Sequence, residues 1–161
     1  MRVIGIDPGT ATTGFAIIDS TNKKLELIDY GVITTKSTMS LPERLLIINN
    51  DISSILDKYK PDCFVIEKLF FTTNQKTAIS VSEARGVLLL TASINKINII
   101  EFTPLQIKNI ITGYGKASKS QIQNAVKKRL NLAVIPKPDD AADAIAIALA
   151  YLQNIGQMVK I

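Results

Sequence analysis

Two acidic side chains end apolar segments whose composition is typical of buried β-strands. Asp7 closes the run of residues 3–6 just before a Pro-Gly turn, and Glu67 closes a second run, residues 62–66. Each carboxylate is therefore expected at the edge of a sheet, with its stem in the core. A carboxylate in that position needs a partner, and a cation is the strongest candidate. The simpler alternative is that Asp7 only starts the turn, which is a common role for aspartate.

Two further acids, Asp140 and Asp143, stand three residues apart where an alanine-rich helix is predicted to begin. That spacing puts both on one face of the helix, and the small residues around them let it pack closely on the sheet. Their carboxylates would then meet the strand-end acids. Four like charges gathered in this way repel one another unless cations lie between them. The arrangement is typical of a two-metal site, in which ions about 4 Å apart activate water and stabilise the leaving oxygen in phosphoryl transfer.

Each of these acids also has an ordinary structural explanation. Glu67 can pair with Lys68 or Lys76, and Asp143 in a first turn is favourable to the helix dipole whatever its function. One of the two consecutive aspartates at the start of the last helix can cap it, and Asp139 is the better candidate for that role. It is the combination of four acids that favours the metal site.

The absence of histidine limits the chemistry that this chain can perform. It excludes Ser-His-Asp and Cys-His catalysis and any histidine-ligated metal site. The one cysteine, Cys63, lies among apolar residues and is predicted to be a packing residue. An enzyme built from this sequence must use carboxylates and lysines, and all-oxygen ligation suits hard cations such as Mg²⁺ or Mn²⁺.

Basic residues are concentrated in one part of the chain. The formal net charge is +5, and no acidic residue occurs between Phe102 and Pro138. The cations in that stretch are Lys108, Lys116, Lys119, Lys127, Lys128, Arg129 and Lys137. Segregation of one sign of charge indicates a polyanionic partner, and a solvated helix face is the alternative.

Lys119 occupies a position that is unfavourable for a cation. It is the first residue of a helix predicted to start at a capping box formed by Ser118 and Gln121, where a positive charge opposes the helix dipole. A cation that opposes the dipole at the start of an otherwise well-capped helix suggests that its position has a functional reason. A lysine beside a helix N-terminus is a phosphate-binding arrangement.

The elements that must position these residues are those of one α/β domain. The chain has 161 residues, and its predicted order β-β-β-α-β-α-β-α-α-α indicates a mixed sheet with helices packed on it. We assign residues 1–154 to a single domain and residues 155–161 to a C-terminal tail. The helix predicted over residues 77–94 has apolar positions on more than one face, so it is expected to pack on the sheet and to meet a partner subunit.

The sequence has no sign of a membrane or export segment. No apolar stretch is long enough to span a bilayer, and the N-terminus reads as a strand without the zones of a signal peptide. We therefore expect a cytoplasmic protein with no membrane partner.

Five motifs occur in an order and at spacings typical of one family. They are Gly5-Ile6-Asp7-Pro8-Gly9-Thr10 with Thr13-Gly14, Ile66-Glu67, Ala84-Arg85-Gly86, Gly113-x-Gly115-x3-Lys119-x-Gln121 and Asp140-Ala-Ala-Asp143-Ala. Together they resemble the RuvC family of bacterial Holliday junction resolvases over nearly the whole chain. The resemblance implies an RNase H-like fold with a mixed five-stranded sheet flanked by helices.

The resemblance also implies roles for the site residues. Asp7, Glu67, Asp140 and Asp143 match the family's catalytic acids, which bind Mg²⁺ as two ions per active site, with Mn²⁺ as a substitute. Some relatives carry a histidine where this chain has Asp140. Lys119 matches the family's active-site lysine, and we assign it to the scissile phosphate.

Family membership would make the protein a homodimer that nicks two strands of a four-way DNA junction symmetrically during recombination and repair. The long helix after Glu67 would build much of the dimer contact. A branch-migration motor complex is a further expected partner.

Several residues are expected to contact the DNA. Lys108 matches a second family lysine, and Phe70 matches an aromatic residue that stacks on unpaired bases at the crossover. Phe71 is an alternative for that stacking role, and one of the two rings can instead anchor its loop to the core. The remaining candidates come from the basic stretch and are Lys116, Lys127 and Lys128.

Three other functions are compatible with parts of this pattern. An actin-like ATPase or sugar kinase has a similar first motif but needs two such domains. An RNase H-like nuclease acting on RNA, of the YqgF-like type, is the main alternative, and the spacing of Glu67 and the Lys119 motif argues against it. A non-catalytic DNA-binding module would have no need for all four acids.

Overall fold

The sheet has five strands of mixed direction, as the sequence predicts. Residues 1–22, 24–69 and 75–158 are described by the structure, a computed structural model. The strands are β1 (Arg2–Asp7), β2 (Thr12–Thr21), β3 (Lys24–Thr34), β4 (Cys63–Glu67) and β5 (Asn98–Phe102). Their order across the sheet is β3-β2-β1-β4-β5. The first three are antiparallel neighbours, whereas β4 runs parallel to both β1 and β5.

Helices connect and cover these strands. They are α1 (Leu41–Tyr59), α2 (Gln75–Ile94), α3 (Pro104–Thr112), α4 (Lys119–Arg129) and α5 (Asp139–Met158). The predicted capping boxes at the starts of α3 and α4 are confirmed, with reciprocal bonds between the cap residue and the glutamine three residues on. At the start of α1, Ser40 donates hydrogen bonds from its backbone N–H and its hydroxyl to the carboxylate of Glu43. Helix α5 continues through the boundary that we drew at residue 154.

The sheet separates two apolar layers because successive strand residues point to opposite faces. On one face, Val3 and Val65 pack with α3, α4 and α5. On the other face, Ile4 and Ile66 pack with α1 and α2. The side chain of Cys63 is unpaired and buried in the first layer, which confirms its interpretation as a packing residue. None of the described helices combines the length and apolar character that crossing a membrane would require.

Candidate active site

The two strand-end acids lie at the same edge of the sheet. Asp7 is the last residue of β1 and Glu67 is the last residue of β4. These strands are parallel neighbours whose register runs up to the pair Ile6 and Ile66, immediately before the acids. Both carboxylate residues are half-buried, with their backbones in the sheet and their side chains at its border.

Glycines in the sheet bring the start of α5 against this edge. A Cβ at Gly14 would lie 2.1 Å from the carbonyl oxygen of Asp140, and one at Gly5 would lie 2.3 Å from the carbonyl oxygen of Ala144. Gly14 pairs with Asp7 in the β1–β2 register. The backbone of α5 therefore occupies the space that side chains would fill. The small residues of α5 predict this close packing from the sequence, and the glycines of β1 and β2 make a contribution that the sequence pattern does not reveal.

The four predicted acids interact with one another electrostatically. Burial raises the pKa of Asp7 to about 8, and the charges of Glu67, Asp143 and Asp140 add to the effect. The charge of Lys119 opposes the shift. Burial likewise raises the pKa of Glu67 to about 7, with a further contribution from Asp143. A carboxyl group with so high a pKa is poorly solvated and surrounded by like charge, so it would gain from a cation.

The acids are gathered but are not arranged as a ligand cluster. Among the described residues, no three acidic or cysteine side chains are positioned to hold a metal ion together. The carboxylate of Asp143 instead accepts a hydrogen bond from the Lys119 ammonium at 3.0 Å. Oxygen-only donors with raised pKa values fit a hard divalent cation such as Mg²⁺ or Mn²⁺.

Lys119 lies between two aspartates of α5. Its Nζ is 3.0 Å from Asp143 and 3.4 Å from Asp139. Burial lowers the pKa of Lys119, but the hydrogen bonds and charges of these aspartates reverse that effect and leave it raised. The two carboxylates compensate the unfavourable position of Lys119 at the start of α4.

Asp139 has a different role from the one favoured by the sequence. Helix α5 begins at Asp139 itself, so the residue lies inside the first turn and does not cap it. Its carboxylate pairs with Lys137 at 2.7 Å as well as with Lys119. Hydrogen bonds from Lys137 and then from Lys119 lower the pKa of Asp139. The sequence offers one signal for this pairing, the position of Lys137 two residues before Asp139.

A cleft of about 270 Å³ opens beside the acids. Its charged lining consists of Glu67, Asp143, Lys108 and Lys119, and its apolar lining includes Ile107 and Ile147. Lys108 also acts on the site through its charge, which lowers the pKa of Glu67. The cleft thus joins acids that can hold cations to lysines that can contact an anion.

The other predicted DNA contacts lie further from this cleft or outside the described residues. Lys116 is exposed in the loop before α4. Lys127 and Lys128 lie in the last turn of α4, about 12 Å along the helix from Lys119. Lys128 lines a second groove, of about 670 Å³, together with Tyr114. Phe70 and Phe71 both fall outside the described residues.

Comparison with known proteins gives a consistent assignment. The family model of the crossover junction endodeoxyribonuclease RuvC matches residues 3–151. The protein of that name from Fusobacterium nucleatum is 54% identical over 160 residues, which cover 99% of this chain and 84% of the relative. The one from Alkaliphilus oremlandii is 50% identical over 163 residues, which cover 100% of this chain and 99% of the relative.

Solved structures agree with the sequence comparison. Thermus thermophilus RuvC superposes with a TM-score of 0.91 at 28% identity, covering 98% of this chain and 97% of that one. The same protein in complex with a Holliday junction substrate gives a TM-score of 0.88 at 26% identity, and the match covers 98% of this chain and 96% of that one. On the family model, the curated relatives and the structural matches, this chain belongs to the RuvC family.

Proposed function

We propose that this protein is a Holliday junction resolvase, an Mg²⁺-dependent endodeoxyribonuclease that nicks four-way DNA junctions symmetrically during recombination and repair. The observation that carries the proposal is that the charges of Glu67, Asp140 and Asp143 all act on the buried Asp7, beside a cleft lined by two of these acids and by two lysines. The junction complex of Thermus thermophilus RuvC, a relative with the same fold, supports the choice of substrate. With chromosomal DNA as substrate, the protein works in the cytoplasm.

The four acids would hold the ions, and Mn²⁺ would substitute for Mg²⁺. When bound, two such ions supply an activated water and stabilise the leaving oxygen of the phosphodiester. The protein contributes the positions of the carboxylates, which the ends of β1 and β4 and the first turn of α5 determine. Because the pKa of Asp7 is raised to about 8, binding of a cation there is coupled to release of a proton at neutral pH.

The lysines would hold the DNA backbone. Lys119 carries its ammonium group to within 3.0 Å of Asp143, so a phosphate that contacts Lys119 also lies next to the acids. Lys108 lines the same cleft and would contact an adjacent phosphate. Lys116, Lys127 and Lys128 would bind phosphates of the junction arms, and Phe70, or else Phe71, would stack on an unpaired base at the crossover.

Symmetric nicking requires two active sites, and α2 supports a homodimer. Three of its apolar side chains are largely exposed: Ile79 at 68%, Leu90 at 61% and Ile94 at 69%. Leu46 of the adjacent helix α1 is 59% exposed. A second copy of the chain would cover these side chains. A branch-migration motor complex would act on the same junction.

Cleavage of defined substrates tests the proposal. With Mg²⁺, the protein should cut a synthetic four-way junction at symmetric positions in two strands and leave a linear duplex of the same sequence largely intact. Glu67→Gln should bind the junction normally and not cut it, because lysines hold the phosphates whereas the acids serve the ions. Preferential cleavage of an RNA–DNA hybrid would instead support the alternative of an RNase H-like nuclease acting on RNA.

A further inference from the structure

Arg85 of α2 makes two polar contacts at the end of the central strands. Its Nε donates a hydrogen bond to the backbone carbonyl oxygen of Glu67 at 3.1 Å. Its terminal nitrogen pairs with the carboxylate of Glu101 in β5. The side chain is only 17% exposed. The motif Ala84-Arg85-Gly86 is part of the family pattern, and the proposed mechanism gives it no role.

The contact with Glu67 holds one particular peptide unit. That unit consists of the carbonyl of Glu67 and the N–H of Lys68, which donates a hydrogen bond to the carbonyl of Phe102 at 2.8 Å. Arg85 binds the carbonyl, and β5 binds the N–H. Both polar groups of the peptide are therefore fixed at the point where the chain leaves the sheet. A fixed peptide restricts the backbone of Glu67 and with it the direction of its side chain.

The carboxylate of Glu101 offsets the free-energy cost of burying the Arg85 guanidinium. Burial lowers the pKa of Arg85, which reflects the cost of removing a guanidinium from water. The carboxylate of Glu101 lies one strand away, where its residue pairs with Ile66 in the parallel ladder. The ion pair offsets the cost of burial and leaves the Nε–H of Arg85 directed at the Glu67 carbonyl.

The same helix contacts the end of the other acidic strand. Thr10, which is buried three residues after Asp7, donates its hydroxyl hydrogen bond to the carbonyl of Ser80 at 2.5 Å. Helix α2 is thus hydrogen-bonded to the backbone carbonyl of Glu67 and to the side chain of Thr10, three residues beyond Asp7. A helix that is hydrogen-bonded both to the end of β4 and to the turn after β1 is suited to keep the two acids in a constant relative position.

We propose that Arg85 is a positioning residue of the active site, which orients Glu67 for metal binding by holding its backbone carbonyl. The inference rests on the proposed function, because it assumes that Glu67 is a metal ligand. Arg85 touches neither the substrate nor the ions and acts through the peptide unit alone. Its charge is balanced by Glu101, which serves as its support.

The test compares four variants with the wild-type protein. Arg85→Gln removes the contacts with the Glu67 carbonyl and with Glu101. Arg85→Lys keeps the positive charge but lacks the planar guanidinium group, and Glu101→Gln removes only the negative charge that pairs with Arg85. Arg2→Gln is the matched control, because Arg2 also pairs with a carboxylate, that of Asp19, and donates a hydrogen bond to a backbone carbonyl, that of Tyr59, at the end of β1 opposite the acids.

Two measurements report on Glu67, the junction Kd reports on DNA binding and Tm reports on folding. In the DNA-free protein, the Mn²⁺ concentration that gives half of the full rise in Tm should increase about threefold or more in Arg85→Gln. The single-turnover rate on a junction should fall roughly 10- to 100-fold, the size of effect that a misplaced group produces, with the junction Kd in Ca²⁺ changed less than about twofold. Arg85→Lys should fold and still show the Mn²⁺ defect. Arg2→Gln should lower Tm without either change.

A purely structural Arg85 gives a different result. In that case Arg85→Gln and Glu101→Gln would lower Tm alike, and the Mn²⁺ midpoint and cleavage rate of the folded protein would equal those of the wild type. That result would overturn the inference and leave the proposed function intact. Because the Mn²⁺ midpoint needs no cleavage, a wild-type protein that binds Mn²⁺ but cuts no junction would contradict the proposed function without deciding against Arg85.

Discussion

Gly14 of β2 lies opposite Asp7 of β1, and the space where its side chain would stand is filled by the backbone of Asp140. One backbone position thus sets the distance between a strand-end acid and the first turn of α5. A methyl group there would have to displace backbone atoms rather than a flexible side chain, which makes the position sensitive to the smallest substitution.

We expect Gly14→Ala to impair both stability and cleavage. The added Cβ would lie 2.1 Å from the Asp140 carbonyl oxygen, so the start of α5 must move away from the sheet. The cost should be about 1–3 kcal/mol in the free energy of unfolding, with a loss of about 100-fold in cleavage rate. Gly156→Ala is the matched control: no atom lies within 4 Å of its added Cβ, and alanine favours helix α5 near its C-terminal end. Denaturant unfolding and junction cleavage check both, and an equally active Gly14→Ala protein would contradict the close-packing argument.

Asp7 should make the metal-free protein less stable as the pH rises. Its folded pKa of about 8 lies above the ordinary value of 3.8, so the folded state binds this proton more tightly than the unfolded state. The contribution of Asp7 to stability therefore falls between about pH 4 and pH 8. In EDTA, Asp7→Asn should have a Tm several degrees above that of the wild type at pH 8, and the difference should be smaller at pH 5.

Added Mg²⁺ completes this comparison. It should raise the Tm of the wild type and have little effect on Asp7→Asn, because the carboxylate that gains from the cation is gone. Asp57→Asn removes an exposed acid from α1 and serves as the control for loss of a carboxylate outside the site. A Tm difference between Asp7→Asn and the wild type that does not change with pH would mean that the buried carboxylate carries no such penalty.

Lys119→Ala should separate metal binding from catalysis. Lys119 holds the Asp143 carboxylate at 3.0 Å, so it competes with a cation for that group. Its removal should lower the Mn²⁺ concentration for half of the Tm rise, while the single-turnover rate falls about 100-fold or more because the phosphate loses its contact. Lys137→Ala is the control for Lys119→Ala, since Lys137 also pairs with Asp139, at 2.7 Å. If both variants lost activity equally, the loss would reflect the charge on Asp139.

The salt dependence of junction binding should identify the lysines that contact phosphates. Each such contact contributes about 0.9 to the slope of log K against log salt concentration. Lys108→Ala, and the double change Lys127→Ala with Lys128→Ala, should each reduce that slope. Binding measured in Ca²⁺ from low to moderate salt provides the comparison. An unchanged slope after replacement of all three would place the DNA on another surface.

Phe70→Ala should affect fully paired junctions most. Stacking of an unpaired base on an aromatic ring is worth roughly 1–3 kcal/mol, which would offset the cost of opening the crossover. Cleavage of a paired junction should therefore drop strongly, and cleavage of a junction with mispaired bases at the crossover much less. Phe71→Ala should have a milder effect in the same comparison. Equal losses on both substrates would argue for a loop-anchoring role, and a larger effect of Phe71→Ala would reassign the stacking role.

Local sequence was sufficient to predict the strand-end acids and the helix starts. Asp7 and Glu67 end short apolar runs, and neighbouring parallel strands bring their carboxyl ends to one edge. The capping boxes at Ser118 and Thr103 depend only on residues three positions apart. Strand ends and helix caps follow from nearest neighbours along the chain, so the sequence by itself determined the order of elements and the placement of two of the four acids at strand ends.

The tertiary structure decided how α5 and α4 meet that edge. The approach of Asp140 to Asp7 depends on missing Cβ atoms at Gly14 and Gly5, and the contacts of Lys119 with Asp139 and Asp143 join residues at least twenty positions apart. The raised pKa values of Asp7 and Glu67 likewise arise from burial and from charges on other elements. Packing and electrostatics between distant segments have no signature in local sequence, because they exist only once the helices lie on the sheet.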